Sequence, residues 1–241
     1  MMEKSFIDNG YEDIRCNLLE IHESIADACT QSGRKEEEVA LLAVTKTVPA
    51  ERINAAIRLG VTQIGENRVQ EFLQKKDALL LSETQAHLIG HLQTNKVRQI
   101  VGHVQMIQSV DSTRLAVAIS RRSEELGIVT PVLVEVNIGG EEAKSGAAPD
   151  QLEDLLGEMH ELKGLHVCGL MTVPPILETE REKREIFSKM YKLFVDIRAK
   201  KLDNIDMQEL SMGMSGDYRE AILEGSTMVR IGSAIFGKRH Y

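Results

Sequence analysis

Short apolar segments alternate with helical stretches along the chain. Eight such segments are predicted strands: residues 41–46, 61–66, 86–91, 104–110, 132–137, 165–171, 207–213 and 227–232. Most are continuous apolar runs, a pattern typical of strands that are buried on both faces of a sheet. Between them, apolar residues recur every three or four positions, as in residues 152–162 and 186–197, which predicts amphipathic helices. The alternation predicts βαβ units and a parallel sheet.

Eight strands with intervening helices predict an α/β fold, a single (β/α)8 TIM barrel formed by residues 1–241. A doubly wound open sheet is the alternative, and short apolar runs can also be buried helices. Ahead of the first strand, residues 13–30 carry one apolar face and predict an extra N-terminal helix that ends before Gly33. We expect this helix to cap the bottom of the barrel or to mediate association.

Polar residues follow almost every predicted strand. In a barrel, functional side chains lie at the carboxyl ends of the strands. The strand ends carry, in order, Lys46, Glu66 and Asn67, His91, residues 109–111, Asn137, Met171 and Thr172, residues 211–215, and residues 230–233. We therefore expect one end of the barrel to be polar and to collect these side chains.

Lys46 ends the first predicted strand. An amine at the mouth of an apolar barrel is partly desolvated, which lowers its pKa from about 10.4. A neutral amine can form a Schiff base with an aldehyde. The alternative is a solvated lysine where a strand meets a loop.

Two turns rich in glycine and serine follow the seventh and eighth strands, where barrels often bind phosphate. The first lies in residues 210–222 and offers Ser211, Gly213, Ser215 and Gly216 ahead of a helix predicted from about Asp217. The second offers Gly232 and Ser233. Both could instead be plain turns, because glycine and serine are common there.

Arg230 lies inside the eighth predicted strand, and a buried arginine needs a partner. That partner could be a carboxylate of the barrel, or a ring nitrogen or acid group of a ligand.

Composition excludes several classes of function. The net charge is −8, aromatic residues are 4% and Trp is absent, which disfavours nucleic-acid binding. The three cysteines form no CxxC motif, and His87 with His91 has no evident third ligand, so no metal is expected. No apolar run reaches the roughly 18 residues of a membrane span. Because no signal peptide is evident either, we expect a cytoplasmic protein.

Seven motifs resemble those of the pyridoxal-phosphate homeostasis protein family, which is similar to the N-terminal barrel of alanine racemase. They are LLAVTKTVPAERI, IGENRVQEF, HLIGHLQTNKVRQI, VLVEVNIGGEEAKSG, GLMTVPP, LSMGMSGDY and VRIGSAIFG, between residues 41 and 237. The resemblance implies a barrel with pyridoxal 5′-phosphate held as an internal aldimine on Lys46. Arg230 would face the pyridine nitrogen.

The resemblance also implies further cofactor contacts. The phosphate-binding turns would be formed by Ser211, Ser215, Gly232 and Ser233. The pocket would include Asn67, Met171 and His91. Glu141 and Lys144 match a family motif whose lysine offers a second amine for cofactor exchange.

The expected function is binding, buffering and delivery of pyridoxal phosphate by a monomer, with transient contact to apoenzymes that depend on this cofactor. Alanine racemase has a further β domain that supplies a catalytic tyrosine, and this sequence ends at Tyr241 without one. An arginine opposite the ring nitrogen also weakens the electron sink that catalysis needs. Alanine racemase has this arginine too, so the missing domain is the stronger argument. The alternatives are a weak or broad amino-acid racemase and a regulatory module that senses the cofactor.

Overall fold

The computed structural model describes residues 10–141 and 144–237. Eight parallel strands form a closed barrel in sequence order, because β1 pairs with both β2 and β8. The strands are β1 (Ala40–Val44), β2 (Gln63–Glu66), β3 (Gln85–Leu88), β4 (Met106–Val110), β5 (Thr130–Glu135), β6 (Leu165–Met171), β7 (Ile205–Met214) and β8 (Met228–Ile231). The predicted α/β class and (β/α)8 barrel are confirmed.

Helices alternate with the strands on the outside of the barrel. They are α1 (Glu12–Gln31), α2 (Ala50–Arg58), α3 (Val69–Lys75), α4 (Val97–Ile100), α5 (Thr113–Leu126), α6 (Leu152–Met159), α7 (Glu180–Lys200), α8 (Tyr218–Leu223) and α9 (Ser233–Phe236). The apolar stripes predicted within residues 152–162 and 186–197 lie on α6 and α7, although Leu162 follows the end of α6.

Helix α1 completes the ring of outer helices. It packs against α8, α9 and α2, and so covers the sector that the single turn of α9 leaves open after β8. Its apolar face is buried, and Asn17 Nδ2 donates to the carbonyl of Ile235 at 2.8 Å. The expectation that this helix caps the bottom of the barrel is therefore wrong: it takes the place of an eighth outer helix.

Five strand ends differ from the predicted ones, and those of β1, β3 and β7 affect the site. Strand β1 ends at Val44, so Lys46 lies beyond the strand. Strand β3 ends at Leu88, so His91 lies in the following loop.

Strand β7 ends at Met214, one residue beyond the predicted end. Of the four residues assigned to the first turn, Ser211 and Gly213 lie on this strand, and only Ser215 and Gly216 lie in the turn. The expectation that Ser211 forms part of that turn is therefore wrong.

Buried side chains fall into two regions. A continuous apolar core lies between the sheet and the helices. Four further buried apolar side chains lie outside that core, namely Leu42, Leu133, Met171 and Met228. Alternation along the strands places these on the inner side of the barrel, beside buried polar residues that form the candidate site.

Candidate functional site

Arg230 is the charged group at the centre of the barrel. Its side chain is buried, and its register partner on β1 is Leu42. Its Nη1 donates to Ser211 Oγ and its Nη2 to the carbonyl of Thr172, both at 2.7 Å. No carboxylate of the described residues lies within 4 Å of this guanidinium. Burial lowers the pKa of Arg230 to about 10, so it stays charged at neutral pH.

A chain of hydrogen bonds continues from Arg230 across the barrel interior. Ser211 Oγ donates to Gln108 Oε1 at 2.8 Å, and Gln108 Nε2 lies 2.9 Å from His87 Nδ1. An amide nitrogen only donates, so His87 Nδ1 accepts and the imidazole proton resides on Nε2. Each donor in this chain thus faces an acceptor, and the chain begins at the guanidinium of Arg230. The signal available for this layer was Gln108, a polar residue that interrupts an apolar run.

The buried imidazole makes stability depend on pH. Burial lowers the pKa of His87 from 6.5 to about 4. Between these values the unfolded chain binds a proton that the folded protein does not, so stability is complete above pH 6.5 and falls as the pH drops toward 4. The shifted pKa of His87 alone should lower the free energy of unfolding by about 3 kcal/mol between pH 6.5 and pH 4. Denaturant unfolding at several pH values measures the slope.

His87→Gln should flatten the slope between pH 6.5 and 4. His103→Gln, at an exposed histidine, should leave it unchanged. Equal slopes in wild type and His87→Gln would contradict the assignment.

Lys46 lies two residues beyond the last residue of β1 and is partly buried. The next residue, Thr47, has a φ of 64°, in the left-handed region that a β-branched residue adopts only under constraint. Its amide donates to Glu71 on α3. Neighbouring backbone and side chains therefore fix the turn that presents Lys46.

The turn after β7 lies beside the turn after β8. Ser215 Oγ accepts from the amides of Gly232 and Ala234 at 3.3 and 3.4 Å. A Cβ on Gly232 would lie 3.2 Å from both Cβ and O of Val44, so this turn rests directly on the end of β1. A hydroxyl and two amides that converge in this way are groups that bind an anion. Ser233, also predicted here, begins α9.

Asp217 adds a carboxylate beside these turns. Its Oδ1 accepts from the amide of Met214 at 2.6 Å. Burial raises the pKa of Asp217, and the nearby charge of Arg230 lowers it.

The remaining predicted pocket residues lie at the end of a strand or in the loop after it. Asn67 follows β2, and its Oδ1 is buried with no hydrogen-bond partner among the described residues. A Cβ on Gly90 would come within 2.3 Å of the Asn67 carbonyl, so the loop after β3 lies against it. Met171 is buried at the end of β6. His91 is exposed, and its Nδ1 lies 3.4 Å from Asp111 Oδ2.

Sequence reasoning missed Glu135, which ends β5. It is buried, Ser145 donates to its Oε1 at 2.8 Å, and its Oε2 has no partner among the described residues. Burial raises the pKa of Glu135 and nearby Asp111 adds to that effect, whereas Arg230 and His91 lower it. The signal available was a single acidic residue inside the run VLVEV.

Lys144 and Glu141 lie in the loop after β5. Lys144 Nζ lies 2.7 Å from Glu141 Oε2 and donates to the carbonyl of Pro174 at 3.0 Å. The lysine therefore joins the loops that follow β5 and β6. Its role as a second amine stays a prediction.

Within residues 10–141 and 144–237, no group of three or more His, Cys, Asp or Glu side chains could hold a metal ion. No helix in these ranges is both long and apolar enough to cross a membrane.

Comparisons with known proteins agree with this architecture. The family model described as "Alanine racemase, N-terminal domain" matches residues 22–240. The pyridoxal phosphate homeostasis protein of Aquifex aeolicus is 44% identical over 224 residues, which is 93% of this chain and 97% of that protein.

Two solved structures are also similar. An unknown protein from Bifidobacterium adolescentis has a TM-score of 0.90 and 40% identity, over 94% of this chain and 95% of that one. PipY of Synechococcus elongatus, solved with PLP bound, has a TM-score of 0.77 and 33% identity, over 88% of this chain and all of that one. The resemblance noted in the sequence is confirmed: the chain belongs to the pyridoxal phosphate homeostasis protein family, which is built on the alanine racemase N-terminal domain.

Proposed function

We propose that this barrel binds pyridoxal 5′-phosphate covalently through Lys46 and holds it for delivery to apoenzymes, with the whole chain acting as one cofactor-binding unit. The observation that carries the proposal is Arg230, a buried guanidinium whose two hydrogen-bonded partners are neutral. A buried charge with only neutral partners destabilises the fold, so its presence inside the barrel points to a ligand. The relative from Synechococcus elongatus, solved with PLP bound, supports the same conclusion.

Pyridoxal 5′-phosphate would supply an aldehyde group, and a lysine amine condenses with an aldehyde by losing one water molecule. Lys46 would provide this amine at the end of β1. Ser215, Gly232 and Ser233 would bind the phosphate through hydroxyls and backbone amides. The phosphate turn rests on Val44, close in sequence to Lys46, so both groups can hold one small molecule.

Three pocket residues would contact the rest of the ligand. The unpartnered Oδ1 of Asn67 is a buried acceptor that a ligand donor would satisfy. Met171 would supply an apolar wall, and His91 would lie nearer the opening of the pocket. Ser211 would act on the ligand indirectly, through its hydrogen bond to Arg230.

Arg230 favours holding the cofactor over strong catalysis. A guanidinium only donates hydrogen bonds, so a ring nitrogen that faces it remains an unprotonated acceptor. The protonated ring is the stronger electron sink, and Arg230 therefore reduces the power of the cofactor to stabilise a carbanion.

A transfer assay tests delivery. Protein loaded with cofactor, freed of excess ligand and mixed with an apoenzyme that depends on pyridoxal phosphate should restore the activity of that apoenzyme. The same preparation should interconvert L- and D-alanine far below the ordinary enzymatic rate of about 10 per second. Inversion at that rate would establish a racemase, and failure to restore the apoenzyme would overturn delivery. Lys46→Ala is the control, since it should carry little cofactor into the assay.

A further inference from the structure

Charged side chains from β2 and α3 surround the turn that carries Lys46. Lys75 Nζ lies 2.6 Å from Glu66 Oε1 and 3.1 Å from Glu71 Oε1. Glu66 is fully buried, and the side chain of Lys75 is only 12% exposed. We name these three residues, Glu66, Glu71 and Lys75, the Lys75 clamp.

The clamp contacts the backbone on both sides of Lys46. Lys75 Nζ donates to the carbonyl of Thr45 at 2.9 Å and lies 3.5 Å from the carbonyl of Val48. A single ammonium group therefore joins the two ends of the turn.

The carboxylates of the clamp complete its hold on the turn. Glu71 accepts the amide of Thr47, whose left-handed φ of 64° needs a constraint of this kind. Glu66 accepts the hydroxyl of Thr45. Backbone or side-chain groups of residues 45, 47 and 48 are thus each bound to the clamp.

The chemistry of the clamp also argues against a purely structural origin. A buried ion pair is weak support for stability, because desolvation of both charges opposes their attraction. Glu66 Oε2 has no partner among the described residues, which adds to the cost of burial. Such a group is better explained by the geometry that it imposes than by the stability that it supplies.

We propose that the Lys75 clamp positions the amine of Lys46 for the aldehyde of the cofactor, so that Glu66, Glu71 and Lys75 act as positioning residues. This inference rests on the proposed function and adds to it. The clamp would favour condensation by holding the turn in its reactive conformation before the ligand arrives. It would have no effect on ligands that bind only through the phosphate and ring.

Two ligands separate positioning from general structural support. Pyridoxal 5′-phosphate has the aldehyde, whereas pyridoxine 5′-phosphate has an alcohol in its place and cannot condense with lysine. Titration should give a dissociation constant for pyridoxal 5′-phosphate at least tenfold higher in Lys75→Met than in wild type. The constant for pyridoxine 5′-phosphate should change less than twofold. Lys75→Arg should restore part of the affinity, and Lys76→Met, at the adjacent lysine, should match wild type.

Glu71→Ala provides a second variant if Lys75→Met does not fold, because Glu71 is partly exposed and accepts the Thr47 amide. Hydrogen exchange of the ligand-free protein gives an independent measurement, in which a peptide spanning residues 45–49 should exchange faster in either variant. Equal loss of affinity for both phosphates, or no loss for either, would overturn the positioning role. Failure of the proposed function looks different, because wild type itself would then bind both phosphates with similar constants.

Discussion

Lys46→Ala should abolish the covalent capture of pyridoxal 5′-phosphate and raise its dissociation constant at least 100-fold, equivalent to about 2.7 kcal/mol. Lys75, whose ammonium group contacts the turn that carries Lys46, is already bound to two carboxylates and a backbone carbonyl, so it cannot replace Lys46. The visible absorption band of the bound cofactor, and its loss in the variant, provide the measurement.

Noncovalent binding should survive this change. Arg230 and the turn at Ser215 and Gly232 do not depend on the Lys46 side chain, so pyridoxine 5′-phosphate should bind Lys46→Ala as it binds wild type. Lys76→Ala is the matched lysine control. A borohydride-stable label that persists in Lys46→Ala, for example on Lys144, would assign covalent capture to another amine.

Arg230→Met should separate ligand binding from stability. Loss of a charged hydrogen-bond donor should weaken cofactor binding roughly 10-fold to 100-fold, since such bonds contribute about 1.5–3 kcal/mol. Burial lowers the pKa of Arg230 to about 10, so at neutral pH the folded protein carries this charge at a cost. Methionine has a similar length and no charge, and the ligand-free variant should be about 1–3 kcal/mol more stable than wild type.

Ligand titration and denaturant unfolding of Arg230→Met measure the two effects separately. Arg184→Met is the matched control, because that arginine is exposed and pairs with Glu224 on the outside of the barrel. It should leave the dissociation constant unchanged. A ligand-free Arg230→Met that is less stable than wild type would show that the guanidinium supports the fold, and the argument from its burial would then fail.

The fold could be predicted because most strands are compact apolar runs and because α1, α6 and α7 each show an apolar periodicity. The same runs located Lys46 and Arg230, since a polar residue within or just after an apolar strand can be recognised from the sequence alone. Strand ends were less certain, since β1 ends two residues before Lys46 and β3 ends three residues before His91. Ser211 contacts Arg230 because it lies on β7, where it pairs with Met228 of β8.

The contacts inside the barrel could not be predicted from the sequence. Ser211 and Gln108 are 103 residues apart, and only closure of the barrel brings them together. Lys75 carries no signal either, because a lysine at the end of a short helix is ordinarily a surface residue. Its role depends on the turn after β1 lying against α3, which is a property of packing between consecutive βα units.

The most direct test of the account is borohydride reduction of wild-type protein loaded with pyridoxal 5′-phosphate, followed by mass spectrometry of its peptides. We expect one phosphopyridoxyl group per chain, attached to the peptide that contains Lys46. A label on any other lysine, or no label at all, would contradict the assignment of Lys46 as the residue that holds the cofactor.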